Sequence, residues 1–128
     1  MEHPVLGVLA YDESVDAWRC VVPSDPLKLG FLIAGKDRPD DRLLAHAVSI
    51  VESAAGFLAA VQEFLASEAM KQPEWANEIG SLHVQEICLF WPRRPDDGMV
   101  YFATPTEVGR LWHADYITRR LVGLGFDS

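Results

Sequence analysis

The chain has few of the features by which small proteins are usually classified. It contains two cysteines, Cys20 and Cys88, and no Gly-rich phosphate loop, Gly-x-Ser-x-Gly elbow, His-Glu-x-x-His pair or calcium loop. Two cysteines make neither a disulfide framework nor a pair of zinc-binding pairs. We interpret both as buried hydrophobic residues in a reducing compartment, and we expect no metal and no cofactor.

The sequence also lacks a long apolar run and an excess of positive charge. It opens Met1-Glu2-His3-Pro4, without the basic residues of a signal peptide, and no apolar stretch approaches the ~18 residues of a membrane span. The formal net charge of −8 repels phosphate backbones. We expect a cytoplasmic protein that binds neither nucleic acid nor membrane. Its charge either attracts a basic partner or serves solubility alone.

What the chain does contain is enough apolar material for one core. Hydrophobic residues make up 49% and charged residues 23% of its 128 positions, values that are typical of a globular domain. The length falls in the range of one domain. We predict a single α+β domain over residues 1–128.

The first third has the pattern of three strands, over 5–11, 17–22 and 27–34. The first has apolar residues at odd and even positions alike, as in a strand that is covered on both faces. The third alternates between apolar and other residues, as in a strand with one buried face. Pro23 and Pro26 each lack a backbone donor, so we expect the ladder to break between the second and third strands.

The middle third predicts one long helix over 39–71. Pro39 suits its first position, and two apolar stripes run side by side along it. The narrow polar remainder consists of Arg42, His46, Ser49, Ser53, Gly56, Glu63 and Ser67. So wide an apolar face predicts either a bend near Gly56 or burial against a second copy, and of the two we expect a homodimer through this helix.

Strand patterns return in the last third. The run 82–91 slips in its alternation at Gln85-Glu86, which predicts a bulge, and an Asp97-Gly98 turn leads into 99–103. The segments 109–116 and 120–126 predict a hairpin around Thr118. The order βββ-α-ββββ predicts an antiparallel sheet of six or seven strands with one long helix packed on one face. An alternating βαβ arrangement does not fit it.

The best candidates for chemistry are His113, Asp115 and His83. Positions two apart in a strand project from one face, so His113 and Asp115 would be neighbours. A carboxylate beside an imidazole can orient a general base, and with His83 on an adjacent strand three metal ligands would converge. The other interpretation is an ordinary polar sheet face.

A second cluster, Trp91, Arg93, Arg94 and Trp112, is the candidate partner-binding site. Tryptophan and arginine dominate interface hot spots, and this is the one locally basic patch of the chain. The other interpretation is a core tryptophan at a strand end, followed by solvated arginines in a turn.

A family resemblance is carried by Gly7 to Asp12 with Trp18 downstream, by Leu111 to Tyr116 and by Leu121 to Asp127. With the Ala-rich middle helix between them, they resemble uncharacterised bacterial families of small cytoplasmic α+β proteins. Some relatives of that kind are regarded as immunity proteins encoded beside polymorphic toxins. The resemblance rests on aromatic and glycine positions and implies no catalytic residue. It implies an acidic protein that blocks a partner.

The function we expect is a non-enzymatic protein-binding module with a basic protein partner, and the resemblance implies that such a module could be an immunity-type inhibitor. The alternative is a small enzyme or metal-binding protein that uses His113, Asp115 and His83. The absence of motifs favours the first without excluding the second.

Overall fold

The structure, a computed structural model, describes residues 1–24, 27–105 and 108–127. A short hairpin of β1 (Glu2–His3) and β2 (Gly7–Val8) precedes a seven-stranded sheet. The strands of that sheet, in chain order and in spatial order alike, are β3 (Ala10–Asp12), β4 (Ala17–Ser24), β5 (Leu27–Ile33), β6 (His83–Leu89), β7 (Gly98–Ala103), β8 (Leu111–Ile117) and β9 (Arg120–Asp127). The α+β class and the mostly antiparallel sheet are therefore confirmed.

The prediction of one long helix is wrong. The segment forms α1 (Asp41–Glu52) and α2 (Ala54–Lys71), bent by 84°, and a 3-10 turn over Pro73–Trp75 leads into α3 (Ala76–Gly80). Asp40 caps α1 by accepting from the amides of Arg42 and Leu43. The break falls at Ser53, whose φ of −114° and ψ of 32° leave the helical region, three residues before the expected bend at Gly56.

The predicted order βββ-α-ββββ is also incomplete. The run 5–11 is not one strand, because it crosses from β2 into β3, so five strands precede the helices. Between β5 and β6 the helices form a crossover, and these two strands pair in parallel, with Phe31 opposite Ile87. The sequence pattern predicted no βαβ unit, and the structure contains one, formed by β5, the helices and β6. Every other pair of neighbouring strands in the sheet is antiparallel.

Several local predictions are confirmed. The register shifts between Val84 and Glu86, where a bulge was expected, and β8 and β9 form the predicted hairpin. The prolines behave differently: Pro23 lies inside β4 and pairs with Lys28, so the ladder continues past it. Pro26 lies outside the described residues.

The core lies between the helices and one face of the sheet. Alternate strand residues, among them Phe31, Ile87 and Trp112, pack with Leu43 and Leu65 of the helices. All five are at most 3% exposed. The helices therefore cover one face of the sheet and leave the opposite face open.

Within the described residues, no single helix has the length and apolarity needed to cross a bilayer. The helices α1 and α2 reach those values only as a pair, and the 84° bend separates them.

Candidate functional site

The sheet face that points away from the helices is the first candidate, and we call it the open sheet face. Strand residues alternate between faces, and directly paired residues share one. Its centre is a small cluster of buried Ala17, Leu32 and Cys88, on which Met99 and Tyr101 pack, and no helical residue belongs to that cluster. This face is built only from strands and their connecting turns.

A shallow cavity of about 430 Å³ lies on this face. Its lining residues are Val15, Leu32, Gln85, Glu86, Cys88, Phe90, Tyr101 and Leu111. Leu111 in this lining is 43% exposed, and elsewhere on the open sheet face Val21 is 56% and Val122 45% exposed. Large aliphatic side chains therefore stand in solvent on a face that already has an apolar centre.

An ion-paired group crosses one side of the open sheet face. Arg19 contacts Asp12, with 3.2 Å between Nη2 and Oδ2, and also binds the carboxylate of Glu86. Burial raises the pKa of Glu86, although Arg19 opposes that shift. Hydrogen bonds from Ser14 are the main cause that lowers the pKa of Asp12. Both carboxylates are tied to this arginine, which leaves little positive charge free there.

The other side of the face carries the predicted histidine and its neighbours. His113 and Asp115 do share this face, because Ala114 between them is buried in the core. The ring of His113 contacts Asp127 rather than Asp115, with 3.3 Å from Nε2 to Oδ2, and lies 5.8 Å from the ring of Tyr101. Asp115 is exposed, opposite Met99 on β7.

His83 stands apart from this pair. It begins β6 and pairs with Ala103, whereas His113 pairs with Tyr101 one strand further across the sheet. Among the described residues, no group of three His, Cys, Asp or Glu side chains has the geometry to hold a metal ion. The structure brings His113 and Asp115 to one face but does not assemble the three-ligand arrangement.

The two cysteines are buried, as expected. Burial raises the pKa of the Cys88 thiol to about 12 and that of Cys20 to about 11. Neither supplies a thiolate nucleophile at neutral pH.

Trp91, Arg93 and Arg94 follow the end of β6, in the turn before β7. The guanidinium of Arg94 lies 4.9 Å from the ring centre of Trp91, and one of its nitrogens lies 3.8 Å from Asp97. Trp91 is half-buried, and both arginines are exposed. These three remain together at the surface.

Trp112 does not belong to that cluster. It lies in β8 on the core face, is fully buried and packs with Trp75 and Phe126. Its indole nitrogen donates to Glu78, which also binds Arg110. Trp112 is a core residue and offers no surface to a partner.

Sequence reasoning missed Glu86 and Asp127 as members of a shared face. Asp127 lies just beyond the last predicted strand, 120–126, and the bulge at Gln85 obscures the side to which Glu86 points. The available signal was the pairing of the two predicted hairpins, which places Glu86, Tyr101 and His113 in one row across the sheet.

In comparisons with known proteins, no family model, no curated protein and no solved structure matches this chain. A function for this chain is therefore inferred from the geometry of its described residues.

Proposed function

We propose that this chain is a non-enzymatic protein-binding module whose open sheet face docks against a basic partner protein. The observation that carries the proposal is the shallow cavity on the side of the sheet that the helices leave open, whose lining includes the apolar side chains of Val15, Phe90 and Leu111. An exposed apolar patch with a polar rim is the usual composition of a protein interface.

The charge of this face supports a basic partner. It carries four carboxylates, Asp12, Glu86, Asp115 and Asp127, against the three cations Arg19, Lys28 and Arg120. Because Arg19 is occupied by Asp12 and Glu86, the carboxylates left to meet a partner are those of Asp115 and Asp127. The net charge of −8 adds long-range attraction for a basic surface.

A module of this kind would act by covering a basic surface of its partner. That is the behaviour of an immunity-type inhibitor, which blocks another protein and needs no catalytic residue of its own. The proposal gives Trp91, Arg93 and Arg94 no role in binding, since that cluster is basic and lies in a turn beyond the end of β6.

The test is capture of the partner with paired charge variants. One variant carries Asp115→Lys and Asp127→Lys on the open sheet face. The matched control carries Glu52→Lys and Glu74→Lys, which are exposed on the helical side and raise the net charge by the same amount. Tagged wild type and both variants are incubated with lysate of the organism that encodes the chain, at low and high salt.

We expect wild type and the control to retain the same basic protein at low salt and to lose it at high salt, because exposed charge pairs are screened. The face variant should retain none of it. A partner held equally by both variants, an acidic partner, or no partner for wild type contradicts the proposal.

A further inference from the structure

A loop covers the imidazole of His46. This residue lies on the polar stripe of α1, where Ser49 is half-buried and Ser53 is exposed, yet His46 itself is only 2% exposed. Residues 90–97 connect β6 to β7, and we call them the β6–β7 loop. Pro95 of this loop bonds to Nδ1 of the ring. A movement confined to the loop can therefore bring that side of the ring into water.

The closed loop accommodates His46 in its neutral form. The carbonyl oxygen of Pro95 can only accept a hydrogen bond, so the ring proton lies on Nδ1. Nε2 is buried and has no hydrogen-bond partner among the described residues. A second proton would have to bind at Nε2, where the new N–H would find no acceptor. Because a buried, unpaired charge is costly, the closed loop disfavours protonation of the ring.

The ionisable groups that the loop and the β8–β9 hairpin bring to the ring do not offset this cost. Arg119 disfavours a charge on His46 and Asp96 favours one, and these two side chains pair with each other at 2.7 Å. Tyr116 stacks on the ring with 5.5 Å between centroids, and burial raises the pKa of its phenol, which therefore stays neutral. The opposing charges of Arg119 and Asp96 leave no anion free to balance an imidazolium.

The two long helices add one exposed charge of each sign. Arg42 lies one turn before His46 on α1, and Glu63 of α2 lines the cavity beside the ring. Solvent screens both side chains, because both are exposed. Desolvation is the largest effect on the pKa of His46, and it lowers that pKa.

Few hydrogen bonds attach the β6–β7 loop to the rest of the molecule. Among the described residues, the bond from His46 to Pro95 is the only one between the loop and α1. At the β8–β9 turn, Asp96 accepts from the Arg119 amide at 3.0 Å, and Asp97 accepts from the Thr118 amide at 2.9 Å. Thr118 and Arg119 are exposed, whereas His46 is buried. The state of the His46 ring therefore decides whether the loop keeps its one buried attachment.

We propose that protonation of His46 releases the β6–β7 loop from α1 and from the β8–β9 turn, which makes the loop an acid-sensitive switch. An open loop lets water hydrate the charged imidazole. The ring has its ordinary pKa near 6.5 in the open state and a lower one in the closed state. The closed state is therefore most stable above about pH 6.5 and loses stability as the pH falls below it. Opening needs no partner protein, so it can be tested apart from docking at the open sheet face.

The test is hydrogen exchange of single backbone amides in the whole protein, followed by NMR at about pH 7 and about pH 5.5 and corrected for the intrinsic rate at each pH. The amides of Thr118 and Arg119 report the loop, because their acceptors belong to it. The amide of Ile87, in a strand paired on both sides, reports global unfolding. We expect the protection of Thr118 and Arg119 to fall severalfold in acid, towards a limit of about tenfold. Ile87 should stay far more protected than either at both pH values.

Three variants identify the titrating group. His46→Asn and His46→Gln keep an N–H donor for Pro95 and cannot titrate, so the acid-induced fall at Thr118 and Arg119 should disappear in each variant that folds. His83→Asn, the matched control, removes a half-buried histidine of β6 and should behave as wild type.

Four results would each overturn the proposal. They are constant protection of Thr118 and Arg119 in wild type, a fall that persists without His46, a fall that is lost in His83→Asn, and protection of these two amides equal to that of Ile87 in acid. The last result would mean that the whole molecule unfolds rather than the loop alone.

Discussion

The buried histidine shows how far a sequence pattern goes at the scale of single residues. Helical spacing correctly places His46, Ser49 and Ser53 on one polar stripe, but it does not say what the stripe faces. The loop residue Pro95 lies 49 positions away and binds the imidazole, so a stripe with the pattern of a solvated surface becomes the wall of a groove. In contrast, residues two positions apart in a strand always project from the same face. This rule uses only the local sequence, and it correctly placed His113 and Asp115 on one face of the sheet.

The pH dependence of stability tests the state of His46. Burial lowers the pKa of His46 below its ordinary value near 6.5, partly offset by the bond to Pro95. The unfolded chain then binds this proton more readily than the folded one, so stability is lost as the pH falls below about 6.5 towards the folded pKa. His46→Asn keeps a donor for Pro95 and removes the titration.

We expect the free energy of unfolding in urea to fall more steeply for wild type than for His46→Asn between pH 7 and pH 5. The difference in slope should approach, but not exceed, about 1.4 kcal/mol per pH unit, the value for one proton. Equal slopes in the two proteins would mean that His46 is not buried as a neutral ring.

At the scale of elements, the strands were easier to predict than their connections. The alternation of apolar and polar residues identifies a strand, but it does not depend on whether the neighbouring strand is parallel or antiparallel. The parallel pairing of β5 with β6 could therefore not be read from the sequence pattern. The helix break at Ser53 has no proline or glycine at the break itself, and the wide apolar face was the only indication of it. The bend lets both apolar stripes pack on one core.

The bulge between β8 and β9 shows how a helix stabilises an edge strand. The register shifts between His113 and Asp115, and Leu124 is not paired in the ladder. Side chains of α2 and the residue after it replace the missing partners: Glu68 accepts from the Leu124 amide at 3.3 Å, and Gln72 donates to its carbonyl oxygen at 3.3 Å. The edge strand is thus joined to the helical layer by two hydrogen bonds.

Substitutions at Glu68 test this connection. Glu68→Ala leaves the buried Leu124 amide unpaired, and we expect a loss of about 1–3 kcal/mol in the free energy of unfolding. Glu68→Gln keeps an acceptor and loses only the contact with Lys71, whose side chain is 70% exposed, so its cost should stay below about 1 kcal/mol. Denaturant unfolding compares the three proteins, and equal losses in both variants would show that the Leu124 bond contributes little.

At the scale of the whole molecule, composition predicted the acidity but not its placement. The carboxylates of the open sheet face come from β3, β6, β8 and β9, which present them on one face only after the sheet has formed. Self-association through residues 39–71 and a cytoplasmic location both stay predictions. Met70, 85% exposed on α2, is the most exposed large apolar residue of that helical segment among the residues described.

The most direct test of the docking proposal is chemical footprinting of carboxylates in the free protein and in the complex with its captured partner. Carbodiimide coupling followed by mass spectrometry reports how accessible each carboxylate is. We expect labelling of Asp115 and Asp127 to fall sharply in the complex, while that of Glu52 and Glu74 on the helical side stays unchanged. If Glu52 and Glu74 are protected instead and Asp115 and Asp127 label as in the free protein, the open sheet face is not where the partner binds.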